Sequence, residues 1–154
     1  MTELLSITQD YVKNHLMTRY ENSKKGDNGI VLVIGGSSLY HGAPLLASLT
    51  ALRAGADLVY TAVPRIIINA IRSYSPNIIA LPMTDNSLTI GSANRLTKSL
   101  PKIPHAATIG MGMTVSKAEA LNSLVKNLKD NGTRLVLDAS ALIPSVITEI
   151  TETD

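Results

Sequence analysis

Residues 29–43 read GIVLVIGGSSLYHGA, a short apolar run that passes through two glycines into a polar loop. The run at 30–34 is rich in β-branched residues and apolar on both faces, which predicts a central parallel strand covered on both sides. Residues 44–54 are nearly all apolar, with Pro44 near the first helical position and Gly55 placed to end a helix. The stretch therefore predicts a strand–loop–helix unit of an α/β fold.

The same alternation continues along the chain. Further strands are predicted over 57–63, 77–81, 106–109 and 134–137, and further helices over 64–74, 92–100 and 116–129. Ser116 and Glu119 form a capping-box pattern at the start of the last helix. A first helix is expected after Thr8 as its cap, with one stripe formed by Tyr11, Val12, His15, Leu16 and Arg19. The pattern predicts an α/β layer fold with a mostly parallel sheet.

Composition limits the classes of function. The 154 residues are 45% hydrophobic and 17% charged, which fits one globular domain. There is no Cys, which excludes disulfides, thiolate catalysis and cysteine zinc sites, and the three scattered His residues predict no metal site. The net charge of +2 is spread along the chain and does not suggest nucleic-acid binding. No apolar run reaches the ~20 residues of a membrane span, and the first residues lack the apolar core of a secretory signal, so we expect a cytoplasmic protein.

Two predicted strands end in paired glycines, Gly35-Gly36 and Gly110-Met111-Gly112. In open α/β sheets, ligands lie beyond the carboxyl ends of the strands, and the first of these loops leads into a helix N-terminus that favours an anion. The alternative is a tight turn that requires glycine for steric reasons alone. Neither loop matches the phosphate-binding P-loop or the dinucleotide fingerprint.

Several motifs occur in a fixed order along the chain: Lys25-Gly26…Gly29, Gly35-Gly36-Ser37…Tyr40…Gly42-Ala43, the run 51–56, the run 109–112, and Asp138-Ala139 with Ala141-Leu142. Together they resemble the nucleotide-dependent NAD(P)H-hydrate dehydratases, a carbohydrate kinase-related family of the ribokinase-like superfamily. The resemblance covers essentially the whole chain and implies a three-layer α/β/α ribokinase-like fold, of whose single domain residues 1–154 are expected to form the N-terminal part.

The resemblance implies repair of hydrated nicotinamide cofactors. NADHX or NADPHX would be dehydrated to NADH or NADPH while ADP or ATP, with Mg²⁺, is hydrolysed. Phosphorylation of the hydrate's hydroxyl group would turn a poor leaving group into a good one. The catalytic residues of this chain stay unknown, because the family motif that supplies the catalytic Asp is absent.

The resemblance also implies a binding pocket. Ala43 and Gly112 would contact the hydrated cofactor, and Gly35, Gly36 and Gly42 would shape the pocket with backbone amides toward its phosphates. The remaining candidates are Ser37, Tyr40, Gly110 and Asp138, with Lys25 as a phosphate contact. A structural interpretation stays open beside the binding role for several residues. Under it, Tyr40 packs on the domain and Asp138 caps the next helix, while Lys25 lies in a solvated turn and His41 in a solvated loop. His15 and His105 are expected to be structural.

The chain also departs from the family. The Thr-Pro-His-Pro-Gly-Glu loop, the Lys-Gly segment that contacts the nucleotide and the Gly-Thr-Gly-Asp motif do not occur. We therefore expect this chain to be inactive alone, as a truncated, proteolysed or naturally split half. A half-sheet leaves a strand edge and an apolar face uncovered, so we expect a complementary half or self-association into a homo-oligomer. The alternatives are a ribokinase-like kinase of a sugar or vitamin precursor, and a non-catalytic nucleotide-binding subunit.

Overall fold

The computed structural model describes residues 6–15 and 19–151. Five parallel strands form one sheet in the order β3-β2-β1-β4-β5. The strands are β1 (Ile30–Ile34), β2 (Leu58–Pro64), β3 (Ile79–Met83), β4 (Ala106–Ile109) and β5 (Arg134–Leu137). The helices are α1 (Gln9–His15), α2 (Gly42–Arg53), α3 (Ile68–Tyr74), α4 (Ile90–Ser99), α5 (Ala118–Asp130) and α6 (Pro144–Thr151), with 3₁₀ turns at Arg65–Ile67 and Ala139–Ala141. The predicted parallel α/β/α architecture is confirmed.

The sheet carries helices on both faces. Helices α2 and α3 pack on one face, where Val31 and Val33 of β1 meet the inner side of α2. Helices α4, α5 and α6 pack on the other, where Leu32 and Ile34 join the largest apolar cluster, together with Tyr60. Val33 is fully buried like its two neighbours on the opposite face, because β1 lies in the middle of the sheet. No helix among the described residues is long and apolar enough to cross a membrane.

Two helix starts differ in how well the sequence predicted them. The amide of Tyr11 donates to the Thr8 hydroxyl (3.1 Å), as predicted for the first helix, whereas Leu16 of the predicted stripe lies outside the described residues. The prediction of a capping box at Ser116 was wrong. Helix α5 starts at Ala118 without a side-chain cap, and the Ser116 hydroxyl instead donates to the Leu88 carbonyl (2.6 Å). An isolated β-bridge between Leu88 and Val115 joins these two loops. It places the Ser116 hydroxyl next to the Leu88 carbonyl.

Asp57 organises the loop before β1. Its carboxylate accepts hydrogen bonds from the amides of Gly26 (3.0 Å) and Asn28 (2.9 Å), and it pairs with Arg19 at 2.7 Å. Only 8% of its side-chain surface is exposed. The pKa of Asp57 is lowered mainly by the hydrogen bond from the Asn28 amide, whereas burial raises it. The Gly26 amide, the Asn28 side chain and Arg19 lower this pKa further. One carboxylate thus fixes the loop that matches the family's Lys-Gly-x-x-Gly motif.

We expect Asp57→Asn to destabilise the fold at neutral pH, because a neutral amide cannot accept all of these hydrogen bonds. A carboxylate whose pKa is lowered by folding contributes stability that is fully present above its unfolded pKa of about 3.9 and is lost as pH falls through the lowered value. The difference between the wild type and Asp57→Asn in urea unfolding should therefore shrink below about pH 4. Asp27→Asn, in the same loop but exposed, is the control with a smaller effect. A difference independent of pH would contradict this role.

Candidate functional site

The strand order reverses between β1 and β4, and the loops that leave these two strands meet at the carboxyl edge of the sheet. Such a switch point is where open α/β sheets bind ligands. An open cavity of about 440 Å³ lies here. Its lining residues come from the loop after β1, the start of α2 and the loop after β4: Leu39, Tyr40, His41, Gly42, Ala43 and Gly112. Four of the predicted site residues, Tyr40, Gly42, Ala43 and Gly112, are brought together.

The first turn of α2 forms one wall of this cavity. Gly42 and Ala43 are its first residues, and the side chain of His41 makes no capping hydrogen bond. The first amides of a helix have no intrahelical acceptor and point toward whatever lies beyond the N-terminus. Gly42 and Ala43 are both exposed and line the cavity, and a Cβ at Gly42 would meet no atom within 4 Å, so solvent reaches this turn. The wall suits the binding of an anionic group.

Gly35 and Gly36 do not present their amides to this cavity. The Gly35 amide donates to the Ala62 carbonyl (3.2 Å), and the Gly36 amide donates to the Met111 carbonyl (2.8 Å). A Cβ at Gly35 would lie 2.5 Å from the Met111 carbonyl oxygen. These glycines allow the loops after β1 and β4 to pack together, and their amides are already bonded to backbone carbonyls. That they shape the cofactor pocket stays a prediction.

The two glycines of the second pair, Gly110 and Gly112, have different roles. Gly110 has φ +119 and is buried, and a Cβ there would overlap the Asp138 carbonyl oxygen and lie 2.8 Å from the Ala141 amide nitrogen. Gly110 therefore serves the packing of the loop after β5 and does not reach the cavity. Gly112 has φ +62 and faces Tyr40, whose Cβ lies 2.8 Å from the position of a Cβ at Gly112. The bare backbone of Gly112 gives the cavity its wall opposite α2.

Ser37 and Tyr40 close the loop after β1. The Ser37 amide donates to the Tyr40 carbonyl (3.0 Å), and the Tyr40 amide donates to the Ser37 hydroxyl (3.2 Å). Ser37 is buried and therefore shapes the turn, while the Tyr40 side chain remains 58% exposed beside the cavity. Tyr40 packs on Gly112 and also lines the cavity, and its role in binding the cofactor stays a prediction.

Two predicted site residues lie elsewhere. Lys25 precedes β1 and therefore lies at the amino edge of the sheet, so it cannot reach a phosphate held at the carboxyl edge. Asp138 is exposed at the end of β5, and its side chain makes no capping hydrogen bond, so the alternative that it caps the next helix is wrong. It lies beside Gly110 but does not line the cavity.

The remaining polar candidates have simpler positions. His41 lines the cavity and is exposed. Nδ1 of His105 accepts a hydrogen bond from the amide of Ile30 (3.0 Å), which agrees with a structural role. Within 6–15 and 19–151, no three His, Asp or Glu side chains come together as metal ligands.

Sequence reasoning missed Leu39, because an apolar loop residue carries no signal that it will line a cavity.

Comparison with known proteins identifies the family. The family model for NAD(P)H-hydrate dehydratases of the carbohydrate kinase type matches residues 31–150. The chain is 52% identical over 142 residues to an ADP-dependent (S)-NAD(P)H-hydrate dehydratase of Nitrosopumilus maritimus, a match that covers 92% of this chain and 50% of the relative. It is 33% identical over 138 residues to an ATP-dependent (S)-NAD(P)H-hydrate dehydratase of Ixodes scapularis, covering 89% of this chain and 42% of the relative.

Solved structures agree. A crystal structure of the ADP/ATP-dependent NAD(P)H-hydrate dehydratase of Bacillus subtilis, co-crystallised with ATP and Mg²⁺, superposes with a TM-score of 0.69 at 27% identity. The match covers 88% of this chain and 46% of that one. The chain thus spans about half the length of the Nitrosopumilus maritimus and Bacillus subtilis proteins. By sequence and by fold, it belongs to the NAD(P)H-hydrate dehydratase family.

Proposed function

We propose that this chain supplies the hydrate-binding half of a nucleotide-dependent NAD(P)H-hydrate dehydratase, with residues 1–154 as the N-terminal part of its domain. The observation that carries the proposal is the cavity at the switch point, where the open N-terminus of α2 faces the bare backbone of Gly112. The names of the relatives support the substrate: the Nitrosopumilus maritimus protein is an ADP-dependent, and the Ixodes scapularis protein an ATP-dependent, (S)-NAD(P)H-hydrate dehydratase.

The two walls of the cavity suit the two parts of such a substrate. The first turn of α2, with Gly42 and Ala43, is exposed and has no side-chain cap, so its amides suit the anionic phosphates of the dinucleotide. Tyr40 and Leu39 offer exposed apolar surface on which the hydrated nicotinamide ring can pack. Binding across both walls would orient the hydroxyl group and hold it away from bulk water.

The nucleotide supplies the chemistry of the leaving group. Its terminal phosphoryl group would be transferred to the hydroxyl oxygen of the hydrate: the bond from phosphorus to the leaving nucleotide oxygen would break, the hydroxyl group would lose its proton to solvent, and a new oxygen–phosphorus bond would form. The carbon–oxygen bond then breaks, phosphate leaves, and loss of a ring proton restores the dihydronicotinamide. The described residues around the cavity include no Lys or Arg and no acidic cluster. We therefore assign this chain the orientation of the hydrate and no step through the nucleotide or Mg²⁺.

Titration of the ¹⁵N-labelled chain with NADHX tests this assignment. The largest shifts of amide resonances should fall on Gly42, Ala43 and Gly112, and those of Lys25 and Gly26 at the opposite edge of the sheet should stay unchanged. NADH, which has the same phosphates but lacks the hydroxyl group, is the matched control ligand and should shift the same amides of Gly42 and Ala43 if the phosphates bind there. Shifts confined to the amino edge, or no shifts at millimolar NADHX, would contradict the proposed function.

A further inference from the structure

The tripeptide Asp-Asn-Gly occurs twice in this chain, at 27–29 in the loop before β1 and at 130–132 at the end of α5. An asparagine followed by glycine is open to spontaneous deamidation, because glycine has no Cβ to hinder the approach of its backbone nitrogen to the asparagine side chain. The same three residues stand at both places. A difference in reactivity between the two copies in the folded chain therefore comes from the structure around them.

The first copy is held by the loop that Asp57 organises. The side-chain nitrogen of Asn28 donates to Oδ2 of Asp57 (3.1 Å) and to the Ser23 hydroxyl (3.0 Å), and the Asn28 backbone amide donates to the same carboxylate (2.9 Å). The Gly29 carbonyl accepts a hydrogen bond from the Leu58 amide at the start of β2 (3.3 Å). The Asn28 side chain can therefore turn toward the Gly29 nitrogen only when this corner of the sheet opens.

The second copy lies at the exposed end of a helix. The amide of Gly132, which has φ +78, donates to the Lys129 carbonyl (2.8 Å). The side-chain nitrogen of Asn131 donates to the Asn127 carbonyl one turn back in α5 (2.7 Å). Asn131 and Gly132 are both exposed, whereas Asn28 is half-buried. Because helix ends fray and open at a small part of the free energy of global unfolding, these two bonds break while the sheet stays intact.

We propose that Asn131 is a site of spontaneous deamidation in the folded protein and that Asn28 is protected from it. The backbone nitrogen of Gly132 loses its proton and attacks Cγ of Asn131. The bond from Cγ to the side-chain nitrogen breaks, and ammonia leaves with the proton that the Gly132 nitrogen lost. Water then opens the succinimide ring at either of its carbonyl groups, which yields aspartate or isoaspartate. The reaction needs water alone and is independent of the proposed function.

Both products weaken the end of α5. An aspartate places a negative charge at the C-terminal end of the helix, where the helix dipole is also negative. An isoaspartate adds a methylene group to the backbone and disrupts the Schellman motif, in which the Thr133 amide donates to the Leu128 carbonyl (3.0 Å). The Thr133 hydroxyl also donates to the Pro104 carbonyl (2.9 Å) just before β5. Deamidation therefore loosens the connection between α5 and the sheet.

Incubation of the purified chain in a mildly alkaline buffer tests the proposal on both copies in one sample. Trypsin cuts after Lys25 and Lys129, so Asn28 and Asn131 fall into different peptides, and mass spectrometry follows deamidation in each. In the folded chain we expect Asn131 to react at least roughly tenfold faster than Asn28, because its surroundings open locally. In concentrated urea, where circular dichroism shows that the fold is lost, the two rates should become equal.

Two variants assign the rates to the structure. Asn131→Gln should abolish the product at 131, because glutamine would have to close a larger ring. Asp57→Asn removes the carboxylate that holds Asn28, so deamidation at Asn28 should become faster under conditions in which circular dichroism shows this variant to be folded.

Three outcomes would overturn the proposal. The first is a rate at Asn28 that equals or exceeds the rate at Asn131 in the folded chain. The second is a folded chain that keeps both side chains intact over a time in which the unfolded chain loses both. The third is a difference between the two rates that persists in urea, because the fold would then not be its cause.

Discussion

Gly110→Ala is expected to leave the chain largely unfolded. The backbone at Gly110 has φ +119, which L side chains rarely adopt, and the new methyl group would overlap the carbonyl oxygen of Asp138. Strain in the backbone and overpacking each cost about 1–3 kcal/mol. The obstacles are the backbone of Asp138 and Ala141, so no flexible side chain can move aside. We expect a loss on the order of 4 kcal/mol in the free energy of unfolding, measured by urea denaturation.

Gly132→Ala separates the two causes. Gly132 also has a positive φ, +78, but a Cβ there would meet nothing within 4 Å. This control should therefore lose only the backbone term of about 1 kcal/mol. If both variants lost equal stability, the close packing of Gly110 against the loop after β5 would add nothing to the loss. The role assigned to Gly110 would then be wrong.

Gly42→Asp should change stability and binding in opposite directions. Replacing a glycine at the start of α2 removes its helix penalty, and a carboxylate in the first turn interacts favourably with the helix dipole, a gain of about 1 kcal/mol. The same charge would stand where the phosphates of NADHX are proposed to bind. Two charges 4 Å apart repel by about 4 kcal/mol near a protein surface. Solvent in this open cavity reduces that to about 2 kcal/mol, or roughly a 30-fold loss of affinity.

Gly42→Asn is the matched control, because it has the same shape without the charge. Its affinity for NADHX should fall by about threefold or less, an energy under about 0.7 kcal/mol. Thermal melting gives the stability of each variant, and the NADHX titration gives the affinity. An Asp variant that binds NADHX as well as the Asn variant would show that the phosphates do not lie at the N-terminus of α2.

The fold could be predicted from the sequence because its signals are local. The apolar run at β1 and the alternation of strands and helices are visible within short windows, and all five strands appeared where predicted within a few residues. The capping box at Ser116 failed because a tertiary contact with Leu88 competes for the hydroxyl. The capping box between Thr89 and Ser92 was missed because Ser occupies the place where Glu or Gln is usual.

The site was harder to predict, because a glycine that binds a ligand and a glycine that admits another loop look the same in sequence. Gly36 and Gly112 both have positive φ, yet Gly36 packs against Ile67 and Tyr40 whereas Gly112 lines the cavity. Only the three-dimensional arrangement distinguishes them. The position of Lys25 could have been predicted: a residue just before a parallel strand lies at the amino edge, far from the ligand edge.

The interlocked loops at the carboxyl edge have a thermodynamic consequence. Gly36 is bonded to Met111, the Asp138 amide to the Ile109 carbonyl, and the Ser140 hydroxyl to the Met113 carbonyl (2.7 Å). Ordering a residue upon binding costs about 1–2 kcal/mol of conformational entropy, and these hydrogen bonds order the loops when the chain folds. A ligand at this edge of the sheet therefore meets loops that are already ordered, so little of the free energy of binding goes into ordering them.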